Sequence, residues 1–169
     1  MKKLFLVFFT LIICFMKSQD IISIIKNNPS KRTDLKIQLN KENPHHYIPI
    51  SVINGKEKGP TFTILAGVHG YEYPPIMAVQ ELMKEIDPTK LKGTLLILPI
   101  TNIGAFYERV PYLNPTDKKN LNTVFSGKEN GTITEKIANY ITKNIIPISD
   151  VFLDIHGGDA NEDLVPFVC

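Results

Sequence analysis

His69 and Glu72, two residues whose side chains can share a cation, stand three apart in Leu65-Ala66-Gly67-Val68-His69-Gly70-Tyr71-Glu72-Tyr73-Pro74-Pro75. An apolar run ends there and a helical pattern begins. Gly67 and Gly70 open the turn between them, so an imidazole nitrogen and a carboxylate oxygen can converge on one ion. Zinc accepts that mixture of donors, and a catalytic zinc takes three protein ligands and keeps a further position open for water. The third ligand is expected in Val151-Phe152-Leu153-Asp154-Ile155-His156-Gly157-Gly158-Asp159, where a second apolar run also ends in a histidine followed by glycine. Two such strand ends, side by side at the carboxyl edge of a parallel sheet, would bring His156 to Glu72 across 84 residues of sequence. Ligand sites in open α/β sheets favour that edge. His69, Glu72 and His156 are therefore the expected metal ligands, with one Zn2+ per chain.

The elements that must position them follow from periodicity. Thr61 to Ala66 reads as a strand feeding His69. From Pro74 the pattern turns helical, with Ile76, Val79, Leu82, Met83 and Ile86 on one stripe. Pro74 and Pro75 suit a first helical turn, where no internal N–H bond is lost, and Asp87-Pro88 ends the helix. Thr94 to Ile100 is apolar on both faces, as a central strand is, and completes a βαβ unit. Further on, Thr132 and Glu135 have the spacing of a capping box. Ile133, Ile137, Tyr140, Ile141 and Ile145 then predict a second amphipathic helix ended by Pro147, and Val151 to Ile155 is the strand carrying His156.

Upstream, Ile21 to Lys26 predicts a short helix, and Leu35 to Leu39 and Tyr47 to Ile53 predict two strands. The turn between those strands holds His45 and His46, both expected in solvent. Thr101 to Gly131 is rich in Asn, Pro, Gly and Asp and has little periodicity. It is expected to be a long loop with a functional role.

The 169 residues suffice for one domain with a real core. Apolar residues make up 43% and charged residues 21%, which places the chain among globular proteins. The net charge of +2 becomes −1 when Lys2, Lys3 and Lys17 are set aside with the leader, and nothing in that balance suggests a nucleic-acid partner. Residues 1–19 read as a signal peptide, with two lysines followed by an apolar run too short to span a bilayer. The protein is accordingly expected to be exported, periplasmic or secreted, and to touch a membrane only through that leader. Cys14 would leave with it and Cys169 would stand alone, so no disulfide framework is expected.

Three segments in this order and spacing resemble the succinylglutamate desuccinylase/aspartoacylase family, relatives of the zinc carboxypeptidases. They are Ala66-Gly67-Val68-His69-Gly70-Tyr71-Glu72, Asn114-Pro115-Thr116-Asp117-Lys118-Lys119-Asn120-Leu121-Asn122, and Leu153-Asp154-Ile155-His156-Gly157-Gly158. The resemblance covers about Thr61 to Val168. It implies an α/β, three-layer zinc-carboxypeptidase-like fold with a mixed, largely parallel central sheet. It also implies that residues 20–169 are a zinc-hydrolase catalytic domain, incomplete at its C-terminal end. The implied activity is hydrolysis of the amide bond of an N-acyl amino acid or peptide, with zinc-activated water as nucleophile and zinc on His69, Glu72 and His156. The implied partner is a small-molecule acyl amino acid or peptide substrate. Arg109 is matched to the arginine that steadies the developing oxyanion.

Two departures qualify that activity. Family members usually read Asn-Leu-Asn-Arg and then Phe-Pro-Gly, where this chain has Asn120-Leu121-Asn122-Thr123 and Phe125-Ser126-Gly127. The missing arginine would grip a substrate carboxylate through a bidentate fork that Thr123 cannot supply, leaving Asn122 as the polar substrate contact. The family's general-base glutamate lies well beyond the third ligand, whereas 13 residues follow His156 here, so the chain is expected to be the N-terminal part of such a domain. The alternative is a noncatalytic zinc-binding or peptide- or cell-wall-binding envelope protein that retains the fold.

Overall fold

The computed structural model describes residues 18–159, 162–165 and 168. The predicted leader falls almost wholly outside that range, as do Cys14 and Cys169. The elements in chain order are α1 (Ser18–Asn27), β1 (Lys31–Gln38), β2 (Tyr47–Asn54), β3 (Glu57–Ala66), α2 (Tyr73–Glu85), β4 (Lys92–Leu98), α3 (Ile103–Glu108), α4 (Ile133–Tyr140) and β5 (Val151–Ile155).

One sheet takes the order β1-β2-β4-β3-β5. β2 pairs antiparallel with both β1 and β4, while β3 pairs parallel with β4 on one side and β5 on the other. The sheet is thus mixed, and β2 alone runs against the other strands. Strand β4 returns to one flank of β3 through α2, and β5 returns to the opposite flank. The carboxyl ends of β3 and β5 are therefore neighbours, with Ala66 opposite Ile155.

Each inner strand is apolar on both faces because both faces are covered. Leu65, Leu96 and Leu98 point to a core shared with Ile21 of α1 and with Ile133, Ile137, Ile141 and Ile145. Ile64, Ala66 and Ile97, one residue out of phase, point to a second core closed by Ile76, Val79 and Met83 of α2. The result is three layers, helix on sheet on helix. A fully buried isoleucine such as Ile137 contributes roughly 1.5–3 kcal/mol by transfer alone. β5 is an edge strand, and its Val151, Phe152 and Leu153 are exposed. Among the described residues, no helix is long and apolar enough to cross a membrane.

Three expectations need correction. Thr101 to Gly131 is not structureless: α3 and a 3-10 turn at Leu121–Thr123 lie within it. Side chains organise this segment where periodic apolar contacts do not. Asn102 accepts from the backbone N–H of Ala105 and from the amide of Asn114, and Asp117 accepts from both the backbone N–H and the hydroxyl of Thr134 at the start of α4. The helix expected up to Pro147 keeps regular α geometry only to Tyr140. It continues as a wider π turn over Ile141–Ile145, which leaves Ile141 and Ile145 buried. Finally, His45 is exposed but His46 is half-buried, its Nε2 lying 3.3 Å from the Thr116 hydroxyl.

Candidate metal centre

The turn after β3 is shaped by two glycines with different tasks. Gly67 adopts φ +65°, a left-handed conformation that side chains disfavour. Gly70 lies so close to α3 that a Cβ there would meet the backbone nitrogen of Phe106 at 2.2 Å. With the turn held in this way, His69 is buried at the sheet edge. Glu72, also buried, immediately precedes α2, whose first turn takes Pro74 and Pro75 without losing a hydrogen bond. Gly157 follows His156 closely enough for its N–H to donate to Glu72 Oε2 at 3.2 Å.

The three expected ligands come together. His69 Nδ1 lies 2.7 Å from Glu72 Oε1, and His156 Nδ1 lies 3.0 Å from Glu72 Oε2. One ligand atom from each of the three falls within 4.8 Å of the others. His69 and Glu72 are buried, while His156 opens to solvent. The cluster is closed on the protein side and accessible from outside.

The far nitrogens explain why the near ones converge. His156 Nε2 lies 3.1 Å from Asp154 Oδ2, so it donates to that carboxylate. His69 Nε2 lies 3.1 Å from Asn120 Oδ1, an oxygen that already accepts from the N–H of Asn122 at 2.9 Å. Both Nε2 atoms therefore carry hydrogen, and each ring turns its Nδ1 toward the Glu72 carboxylate. Lone pairs and a carboxylate this close repel unless a proton or a metal cation lies among them. Without metal, a proton on His156 takes that place. Burial pushes the Glu72 carboxyl up, but the hydrogen bonds from His156 and His69 outweigh it and hold it at about 2. Asp154 first, and then Glu72, raise His156 to about 10.

The donor set suits zinc. Two imidazole nitrogens and a carboxylate oxygen are donors that zinc accepts, and one ligand atom from each of the three residues already lies within 4.8 Å of the others. Outer partners such as Asp154 and Asn120 orient metal-bound histidines in this way.

The other expected site residues divide. Asn122 and Thr123 are exposed in the 3-10 turn that Asn120 caps, beside the cluster; the Thr123 hydroxyl donates back to the Asn120 carbonyl at 3.0 Å. Arg109 is not joined to the cluster by any hydrogen bond or ion pair among the described residues. It ends α3 with φ +53° and lines a groove with Tyr73, Ile76, Met77, Gln80, Phe106 and Tyr107.

Sequence reasoning missed three residues that touch the ligands. Asp154 sits two before His156 on a strand, hence on the same face, and that spacing was a usable signal. Asn120 and Tyr112 had none. They meet at the site because Leu113 bridges Asn120 and the Asn114 N–H donates to the Lys119 carbonyl, forming a small hairpin whose two legs both reach His69. The Tyr112 ring stands edge-on to His69, with centroids 5.2 Å apart. The neighbouring Asp159 carboxylate, with Glu162 and Glu72 beyond, raises the phenol to about 12.

Comparison with known proteins gives relatives of one family and one fold. The profile of the succinylglutamate desuccinylase/aspartoacylase catalytic domain matches residues 58–169. The N-alpha-acetyl-L-2,4-diaminobutyric acid deacetylase of Halomonas elongata is 39% identical over 120 residues, covering 71% of this chain and 34% of that protein. The solved succinylglutamate desuccinylase/aspartoacylase of Rhodobacter sphaeroides superposes with a TM-score of 0.70 at 26% identity, covering 78% of this chain and 41% of that one. A metallo-carboxypeptidase from Burkholderia cenocepacia, at 17% identity, covers 84% of this chain and 40% of its own with a TM-score of 0.59, and shares the fold. The chain thus spans between a third and about two fifths of the length of these relatives.

Proposed function

The chain belongs to the succinylglutamate desuccinylase/aspartoacylase family, and on that premise we propose that it forms the zinc-binding part of a hydrolase that cleaves the amide bond of an N-acyl amino acid. The observation that carries this reading is the convergence of both Nδ1 atoms on the Glu72 carboxylate, with each Nε2 anchored from behind. His69, Glu72 and His156 would hold zinc. Bound there, zinc lowers the pKa of water and polarises the acyl carbonyl. The remaining work falls to the chain. Asp154 and Asn120 keep both imidazoles in the ligating tautomer, and the buried Glu72 is kept ionised by its histidine partners. The exposed side of His156 leaves an approach for substrate, and Asn122 offers that substrate a polar contact at the mouth.

The acyl amino acid class is supported by the family and by the Halomonas elongata deacetylase, which acts on an N-acetylated amino acid. Export through the leader is part of the same proposal. A second reading, a noncatalytic binding protein with the same fold, is favoured by one feature: Thr123 replaces a carboxylate-gripping arginine, and its hydroxyl is spent on the Asn120 carbonyl. The two readings separate in one assay. Protein isolated from its own source and loaded with zinc should release free amine from N-acetyl amino acids, and His156→Ala should abolish the release. Zinc uptake with binding of those compounds but no amine released would leave the second reading standing.

A further inference from the structure

We propose that the Tyr112 hydroxyl donates the hydrogen bond that meets the oxygen of the scissile carbonyl as negative charge develops on it. The proposal rests on the deacylase reading above. It begins from the placement of Tyr112, on one leg of the hairpin whose other leg carries Asn120, with its ring edge against His69. The residue is 46% exposed, so it faces the opening and does not fill the core. The Asp159 carboxylate, three residues past His156, is the charge that acts most strongly on its hydroxyl.

The other donors near the site are placed differently. Asn120 accepts through its oxygen from His69 and from the Asn122 N–H, which fixes its amide behind the His69 ring, and Asn122 stands exposed on the 3-10 turn as a contact for the rest of the substrate. The Thr123 hydroxyl is turned back to its own loop. Arg109 lines the groove between α2 and α3, with Met77 and Gln80 beside it. Among the described residues, Glu72 and Asp154 bond to the histidines as carboxylates and Asp159 lies three residues beyond His156, and none of the three can donate when ionised. Tyr112 is the neutral donor set among them. A donor aimed at the position where charge develops contributes more as that charge grows, which is how such contacts favour the transition state over the bound substrate. No covalent bond to Tyr112 forms or breaks: its O–H turns to the substrate oxygen.

The test uses the zinc-loaded protein and two probes: an N-acetyl amino acid, and its phosphonamidate analogue, whose tetrahedral anionic oxygens stand in for the developing oxyanion. Both are titrated calorimetrically against wild type and Tyr112→Phe, which keeps the ring against His69. Tyr112→Phe should bind the phosphonamidate about tenfold or more weakly, lose much less affinity for the N-acetyl amino acid, and hold the same amount of zinc. Equal phosphonamidate affinity in the two proteins would overturn the role of Tyr112 while sparing the deacylase reading. Failure of the zinc-loaded wild type to bind either probe would overturn both, and equal losses for the two probes would reduce Tyr112 to a general binding contact.

Discussion

Asp154 Oδ2 lies 3.1 Å from Nε2 of His156, two residues along the same strand end, while the Nδ1 of that ring faces Glu72. The carboxylate holds the ring in one tautomer and one orientation. Asp154→Asn keeps the shape but replaces an anionic acceptor with a neutral amide. Zinc affinity, measured by competition with a chromophoric chelator, should fall 10- to 100-fold with little change in fold.

Glu72 bridges the two histidines from a buried position. Glu72→Gln removes the charge that balances both rings and leaves them without an anionic partner. Zinc uptake should be lost, and the metal-free protein should melt lower than metal-free wild type, because a buried charge network has lost one member. Thermal unfolding in excess chelator makes that comparison.

Ile137 is 2% exposed in the core between α4 and the sheet. Ile137→Ala should cost about 2–5 kcal/mol in urea unfolding. Val151→Ala on the exposed edge strand should change stability by about 0.5 kcal/mol or less.

Glu135 ties the start of α4 to the preceding loop. The Thr132 backbone N–H, then Lys119 and Lys128, hold its carboxyl at about 2, below the ordinary value of 4.5. A folded-state pKa below the unfolded one contributes stability above the unfolded value and loses it as pH falls through the folded value. The stability difference between wild type and Glu135→Gln should therefore be constant above about pH 4.5 and should shrink as pH falls toward about 2. Urea titrations across that window check the sign.

Much of this architecture was readable from residue order, and the remainder was hidden for identifiable reasons. The three residues of the His69–Glu72–His156 cluster stood out because two apolar strands end in histidine, and sheet topology forces such ends together; the parallel pairing of Ala66 with Ile155 is that topology realised. The stripes of α2 and α4 were visible because each packs a periodic face on the sheet. By contrast α3, at six residues, is too short for periodicity and begins on an Asn102 cap. The hairpin carrying Tyr112 and Asn120 is organised by Asn and Asp side chains, which bond backbone in many geometries and leave no repeat. Arg109 could be singled out by residue type, whereas its place at the left-handed end of α3, beside the groove with Tyr73 and Phe106, is something only the structure shows.

The most direct test of the central claim is the zinc content of the folded, desalted protein, measured by elemental analysis beside native mass spectrometry. The account predicts about one zinc per wild-type chain and almost none in His69→Ala, Glu72→Ala or His156→Ala, each still folded by circular dichroism. Folded wild type that takes up no zinc when it is supplied, or zinc retained after loss of these ligands, would contradict it.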